Sequence, residues 1–266
     1  MAVEILSLRE QEKLRRASEC AAQTLAFVRE RARAGVSTAQ IDQWVREDTE
    51  RRGAKPSQLG YHGFPAAVCT SVNSVVCHGI PRRDQVLRDG DIINVDVTSE
   101  LDGFHGDLSE TFIIGEASDE ARHVVDVAKR CLEAAIAVVR ADARLGDIGA
   151  VIDALARKEG CSVVSDFGGH GIGRRMHMDP HVAHTGLAGT GLRLRAGMAF
   201  TIEPMINLGR PDVRVLDDRW TVVTADGSLS AQFEHTVLVT RDGCEVLTRL
   251  APSVRRVAMV RGIERE

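Results

Sequence analysis

Four carboxylates and three histidines of this chain lie in segments that echo one another. Residues 87–97 read LRDGDIINVDV and residues 194–204 read LRAGMAFTIEP. Both open Leu-Arg-x-Gly, and both reach an acid nine residues after the leucine, Asp96 in the first and Glu203 in the second. The tripeptide HGI occurs at 78–80 and again at 170–172. Asp107 follows Asp96 across a turn signal, and Glu234 lies in FEHTV, beyond Glu203. Acids and imidazoles converging from two halves suit a metal site, a proton-transfer site, or both. A lone carboxylate on an alternating strand is ordinarily solvated. Here each acid has apolar β-branched or aromatic neighbours, as in NVDV, TIEP and FEHTV. Strands of that composition tend to be buried, and buried carboxylates without compensation are too costly to keep. A cation is the simplest compensation. Oxygen donors with one imidazole suit Mn, Fe, Co, Zn or Mg rather than a structural thiolate zinc. His170, in DFGGHGIGRRMH, sits in a glycine-rich loop whose backbone can approach a ligand closely. Neither GKS/T nor GxGxxG is present, so phosphate cradling is a weak reading of that loop. A single histidine is most often a satisfied core residue, but His78, His170 and His177 accompany four convergent acids.

The elements that must position these residues form a pseudo-repeat. Leu14, Ala17, Ala21, Leu25 and Val28 recur at helical spacing over 8–32. Ser37-Thr-Ala-Gln40 resembles a capping box, Ile41, Trp44 and Val45 give the helix it opens an apolar face, and Gly53 stops it. Residues 60–80 suit loops and short strands. Residues 91–97 alternate, with Ile93, Val95 and Val97 on one face and Ile92, Asn94 and Asp96 on the other. Asp102-Gly103 signals a hairpin turn before FII at 112–114. The second half repeats the plan: a helix over about 118–140, a shorter one over about 147–159 stopped by Gly160, strands at CSVVSDF and MAFTIEPMI, and a hairpin-like WTVVTADGSLSAQFEHTVLVT. Alternation in MAFTIEP puts Glu203 where Asp96 stands in the first half.

Composition sets the outer limits. The 266 residues can bury a sizeable core without disulfide staples. With no long Gly/Pro/Ser-rich linker, they read as one domain over 1–266, with halves at about 5–115 and 116–250 and a short tail at 251–266. That tail is mildly basic and reads as solvated or as a short terminal helix. The net charge of −4 gives no electrostatic reason to expect nucleic acid as a partner. Six scattered cysteines without a CxxC pair suit reduced thiols in the cytoplasm. The N-terminus lacks a secretory signal, and no apolar run is long enough to span a membrane. Without a heptad or a large apolar surface stripe, a monomer is expected.

The motifs GYHGFPAAVCTSVNSVVCHGIP, DGDIINVDVT, DGFHGDLSETF, GGHGIGRRMH, FTIEPM and LSAQFEHT carry a resemblance over nearly the whole chain, from about residue 5 to 250. Together they resemble the type I methionine aminopeptidases, dinuclear metallopeptidases of the pita-bread fold. The resemblance implies an α/β (α+β) fold of two pseudo-symmetric halves, each with two helices on a curved, mainly antiparallel sheet. It implies hydrolytic removal of the initiator methionine from nascent polypeptides with a small second residue. Two divalent ions (Co, Mn, Fe, Zn or Ni) would be held by Asp96, Asp107, His170, Glu203 and Glu234. Asp107 and Glu234 would bridge them, His170 and Glu203 would bind the first, and Asp96 the second. Glu203 would shuttle a proton, and His78 and His177 would face substrate. Tyr61, Phe64, Cys69, Met176 and Trp220 would line the methionine pocket. Proximity to the ribosome would follow from the substrate alone. Gln58 and Met176 depart from the family pattern, where a small or thiol residue and an aromatic one are expected; Gln58 could narrow or polarise the pocket. Proline dipeptidases and aminopeptidase P share the five ligands but usually carry an additional N-terminal domain. Non-catalytic relatives that bind proteins or RNA lose ligands, and all five are present here.

Overall fold

The computed structural model describes residues 3–250. Four helices form where the periodicity places them: α1 (Leu8–Arg29), α2 (Thr38–Arg51), α3 (Asp119–Ala137) and α4 (Leu145–Lys158). The five residues that marked the apolar stripe of α1 are all buried. Glu10 accepts from the Ser7 backbone N–H at 2.8 Å, tying down the first turn of α1. Only half of the box expected at α2 forms. Ser37 Oγ accepts from Gln40 N at 3.2 Å, but the Gln40 amide turns to Gln43 instead. The helix expected at 118–140 ends at Ala137.

The strands of the first half are β1 (Lys55–Pro56), β2 (Cys69–Val72), β3 (Val75–Cys77), β4 (Ile92–Leu101) and β5 (Phe104–Ile113). Those of the second are β6 (Ser162–Val163), β7 (Gly169–Gly171), β8 (Met178–Val182), β9 (Ala199–Ile202), β10 (Met205–Asn207), β11 (Val213–Val215), β12 (Val222–Thr224), β13 (Ser230–Gln232), β14 (His235–Val239) and β15 (Cys244–Val246). β4 pairs along its full length with β5, and its other edge takes β2 and then β1. The β4–β5 turn is the two-residue Asp102-Gly103, both at positive φ (53° and 76°), as a tight hairpin requires. The second sheet runs β15-β14-β9-β7-β8, all antiparallel. Residues 220–240 do not make the expected hairpin. β12 pairs with β3 and β11, β13 pairs with β10, and β14 pairs with β9. Pro204, which has no N–H to donate, follows Glu203 where MAFTIEPMI divides into β9 and β10.

The repeat is structural as well as sequential. α2 and α4 have 14 residues each and start 107 positions apart, the separation of Asp96 from Glu203. Ser37 bridges Val86 as Arg144 bridges Arg193, again 107 positions on. Gly53 and Gly160, at φ 76° and 74°, end the two helices in the same way. α1 and α2 pack on β4 and β5 through Leu25, Ile41, Val45, Ile93, Val95 and Val97. α3 and α4 pack on the second sheet through Val124, Val127, Ile148, Ile152, Phe200 and Val237. The two-half architecture expected of the pita-bread fold is therefore present. The expectation for the tail at 251–266 lies outside the described residues. No helix among the described residues is long and apolar enough to cross a membrane.

Candidate active site

The seam between the halves is stitched by polar groups. Thr236 Oγ1 donates to Asp107 O at 2.7 Å and accepts from Asp107 N at 3.2 Å. Thr111 Oγ1 donates to Gln232 O at 2.7 Å, and Glu234 N donates to Ser109 O at 2.9 Å. The outer edge of β5 is thus covered by residues 232–236 of the other half. At this seam a cleft opens. All the expected site residues line it: Asp96, Asp107, His170, Glu203 and Glu234; His78 and His177; and Tyr61, Phe64, Cys69, Met176 and Trp220. Gln58 and Thr98 line it too.

Register explains the convergence. Asp107 pairs with Thr98, two residues along β4 from Asp96, so both acids stand on one face of one hairpin. His235 pairs with Ile202, so Glu234 and Glu203 come next to each other just beyond the paired residues. His170 stands on β7 between two glycines. A Cβ on Gly169 would lie 2.2 Å from Thr201 O, and one on Gly171 would lie 2.1 Å from Asp179 O. Only glycine lets β7 sit this close to its neighbours. His170 Nδ1 donates to Gly171 O at 3.1 Å, which leaves the Nε2 lone pair facing the acids. Nε2 lies 3.7 Å from Asp107 Oδ2 and 3.6 Å from Glu203 Oε1. These gaps are long for hydrogen bonds. They suit neighbouring donors on one cation, where ~2.1 Å bonds at tetrahedral angles set ligands roughly 3.4 Å apart. Ligand atoms of Asp107, His170 and Glu234 all lie within 4.8 Å of one another. The donor set therefore fits a divalent cation.

Burial dominates the electrostatics. It raises Asp107 to about 7 and Glu203 to about 8, and holds Asp96 and Glu234 well above the carboxylate range, with neighbouring acids adding to all but Asp107. It lowers His170 to about 3, helped by nearby His177, while desolvation by neighbouring groups lowers the more exposed His177 to about 4. Neutral imidazoles and acids starved of a counter-charge are the state a cation relieves. Residues not singled out from the sequence steady the acids. Thr98 Oγ1 donates to Asp107 Oδ1 at 2.7 Å, Thr201 Oγ1 donates to Glu203 Oε1 at 2.7 Å, and Gln232 Nε2 donates to Glu203 Oε2 at 3.2 Å. Glu203 N donates to buried His184 Nε2 at 3.2 Å. Thr98 and Thr201 lie two residues from Asp96 and Glu203, a same-face spacing that could have marked them; His184 and Gln232 carry no such signal.

The pocket side is aromatic. Phe64 packs edge-on to Trp220 at 5.1 Å between centroids, and Met176 and Cys69 are buried nearby. His78 sits edge-on to Phe167 at 5.7 Å, with its backbone at φ 55°. His177, seven residues beyond His170, brings its ring centroid to 4.1 Å from the His170 ring, and its Nδ1 lies 2.7 Å from Tyr61 Oη.

The chain resembles known proteins along most of its length. It is 50% identical over 246 residues to methionine aminopeptidase A of Synechocystis, covering 92% of this chain and 97% of that one. It is 44% identical over 249 residues to the methionine aminopeptidase of Escherichia coli K12, covering 93% and 94%. The crystal structure of methionine aminopeptidase from Rickettsia prowazekii superposes with a TM-score of 0.92 at 44% identity, covering 93% of this chain and all of that one. Residues 12–241 match the model of metallopeptidase family M24, and the chain belongs to that family.

Proposed function

We propose that this chain removes the N-terminal methionine from polypeptides whose second residue is small and uncharged. One observation carries this reading. A single cleft joins four carboxylates, three buried and Asp96 half-buried, and His170 to an aromatic and thioether-lined pocket of Tyr61, Phe64, Cys69, Met176 and Trp220. The whole chain, 1–266, acts as one catalytic domain, a monomer in the cytoplasm, where nascent polypeptides are at hand.

Asp96, Asp107, His170, Glu203 and Glu234 would hold two divalent ions. Such ions would supply Lewis acidity, bringing the pKa of a water in the cleft toward ~7, and positive charge beside the substrate's free α-amine. Phe64, Trp220 and Met176 enclose the methionine side chain, whose thioether is polarisable and packs well against aromatic edges. Glu203 accepts a proton from water and passes it to the leaving amine. Its oxygens are steadied by Thr201 and Gln232.

His177 donates from Nε2 to the scissile carbonyl oxygen. Desolvation by its neighbours keeps its ring neutral near pH 7, so it has one N–H to give. Tyr61 sits against Nδ1; with its hydroxyl proton turned to that nitrogen, Nε2–H is left as the donor into the cleft. His78, fixed between Phe167 and Trp220, faces the residue after the scissile bond.

The test is to incubate the manganese-reconstituted protein with Met-Ala-Ser, Met-Lys-Ser and Xaa-Pro peptides. Release of methionine from Met-Ala-Ser alone is the expected result. Cleavage confined to Xaa-Pro would turn the reading to a proline-specific relative, and no cleavage of any of them would overturn catalysis.

A further inference from the structure

Gln58 is one of the two residues that depart from the family pattern, and its side chain is not free in the pocket. It is 6% exposed. Its Nε2 lies 3.0 Å from Asp96 Oδ1 and 3.0 Å from Asp96 O. The same nitrogen lies 3.9 Å from Cys69 Sγ, but its two shortest contacts both go to Asp96. Rotating the amide by half a turn would set Oε1 against a carboxylate oxygen and a carbonyl, so the orientation is fixed by chemistry. Oε1 is buried and has no partner among the described residues.

The backbone that carries Gln58 is held on both sides. Ser57 N donates to Thr98 O at 2.9 Å, extending the β1–β4 pairing by one residue. Tyr61 N donates to Gln58 O at 3.1 Å, closing the turn into the pocket wall. The amide thus reaches Asp96 from a rigid anchor outside the strand that carries Asp96. Asp107 and Glu203 are steadied by threonines of their own sheets, Thr98 and Thr201. Among the described residues Asp96 has no such hydroxyl and has Gln58 instead.

We infer that Gln58 is a positioning residue for Asp96, and that it ties the wall of the methionine pocket to the loading of the second ion. This rests on the two-ion reading above. Gln58 commits one Asp96 oxygen and the backbone carbonyl, leaving the other oxygen for the cluster. Removing the two N–H donors leaves Asp96 without a fixed rotamer and lowers affinity at its ion. Groups that orient metal ligands in this way typically contribute ~10–100-fold in affinity.

Calorimetric titration of Mn²⁺ into chelator-stripped protein tests this without reference to turnover. Wild type is expected to show two binding events. Gln58→Met keeps the volume and removes the donors. Gln58→Glu keeps the shape and also removes them. Both are expected to keep the tighter event and to weaken the other by ~10–100-fold. If Gln58→Met binds both ions within twofold of wild type, the positioning role is wrong, even if Gln58→Glu is weak, since repulsion alone would then explain the Glu variant. If Gln58→Met does not fold, an unweakened second event in Gln58→Glu overturns the role by itself. If wild type shows a single event or none, the two-ion reading falls first and takes this inference with it.

Discussion

At the scale of single residues, the site divides its labour by burial and by hydrogen-bond partner. Tyr61→Phe removes the hydroxyl beside His177 Nδ1 and nothing else from the pocket wall. It is expected to lower kcat by ~10–100-fold with KM and metal content unchanged, because the ring loses the group that selects its tautomer. His177→Ala is expected to cost ~10²–10³ in kcat, as for loss of one oxyanion donor. Loss of metal in that variant, read by elemental analysis, would instead make His177 a ligand. Glu203→Gln should lose ~10²–10⁴ in kcat even where metal content is restored; unchanged turnover would remove the proton-shuttle role. The principal acids and histidines were legible in the sequence because type, spacing and apolar neighbours agreed. Thr201 and Gln232 were not, because nothing in a sequence says which hydroxyl or amide will sit 2.7 or 3.2 Å from a given carboxylate. The reading of Gln58 as a residue that narrows or polarises the pocket was incomplete for the same reason: its partner lies 38 positions away on β4.

At the scale of elements, local signals were strong where one strand or helix made its own decision. Alternation fixed the two faces of β4, Asp-Gly fixed the β4–β5 turn, and Gly53 and Gly160 fixed two helix ends. The signals failed where pairing was non-local. The segment 220–240 looks like a hairpin, yet β12 and β13 belong to different three-stranded sheets. Turn chemistry could suggest that they pair but could not show the competing edges of β3 and β10. β7 shows how tightly an element can be specified by what it lacks. Gly169→Ala would place a Cβ 2.2 Å from the Thr201 carbonyl oxygen, which is backbone and cannot swing away. We expect a loss of about 1–3 kcal/mol in unfolding free energy, read by denaturant titration. Mn²⁺ affinity should fall with it, because His170 rides on the same three residues.

At the scale of the whole molecule, two similar halves make a site that neither could make alone. Thr236→Val deletes both seam bonds to Asp107 and leaves a buried N–H unpaired. We expect it to destabilise the protein by about 1–3 kcal/mol, visible as a lower denaturation midpoint that saturating Mn²⁺ partly restores. Stability without metal should also depend on pH. Asp107 and Glu203, raised to about 7 and about 8, bind protons more readily in the folded protein than in the unfolded chain. Their contribution is present in acid and is lost as pH rises through those values. Half-buried His170 and buried His184, both lowered to about 3, work the other way, and theirs is complete once pH exceeds ~6.5. Metal-free protein should therefore lose thermal stability between about pH 6.5 and 8, and Mn²⁺ should abolish the decline. A melting temperature that rises over that window without metal would contradict the assignment. The duplicated frame was readable from the LRxG echoes. How the halves meet was not, because the seam joins residues such as Asp107 and Thr236 that lie 129 positions apart. That separation also acts in time. When β5 leaves the ribosome, the strand it pairs with on one side, β4, already exists, but the residues that cover its other edge do not. At 5–20 residues per second, translation needs roughly 6–26 s to deliver them. For that interval a ten-residue strand stands with an open row of peptide groups. The first half of this chain must therefore survive as a nascent sheet with one raw edge, and the late arrival of residues 232–236 both closes that edge and creates the site.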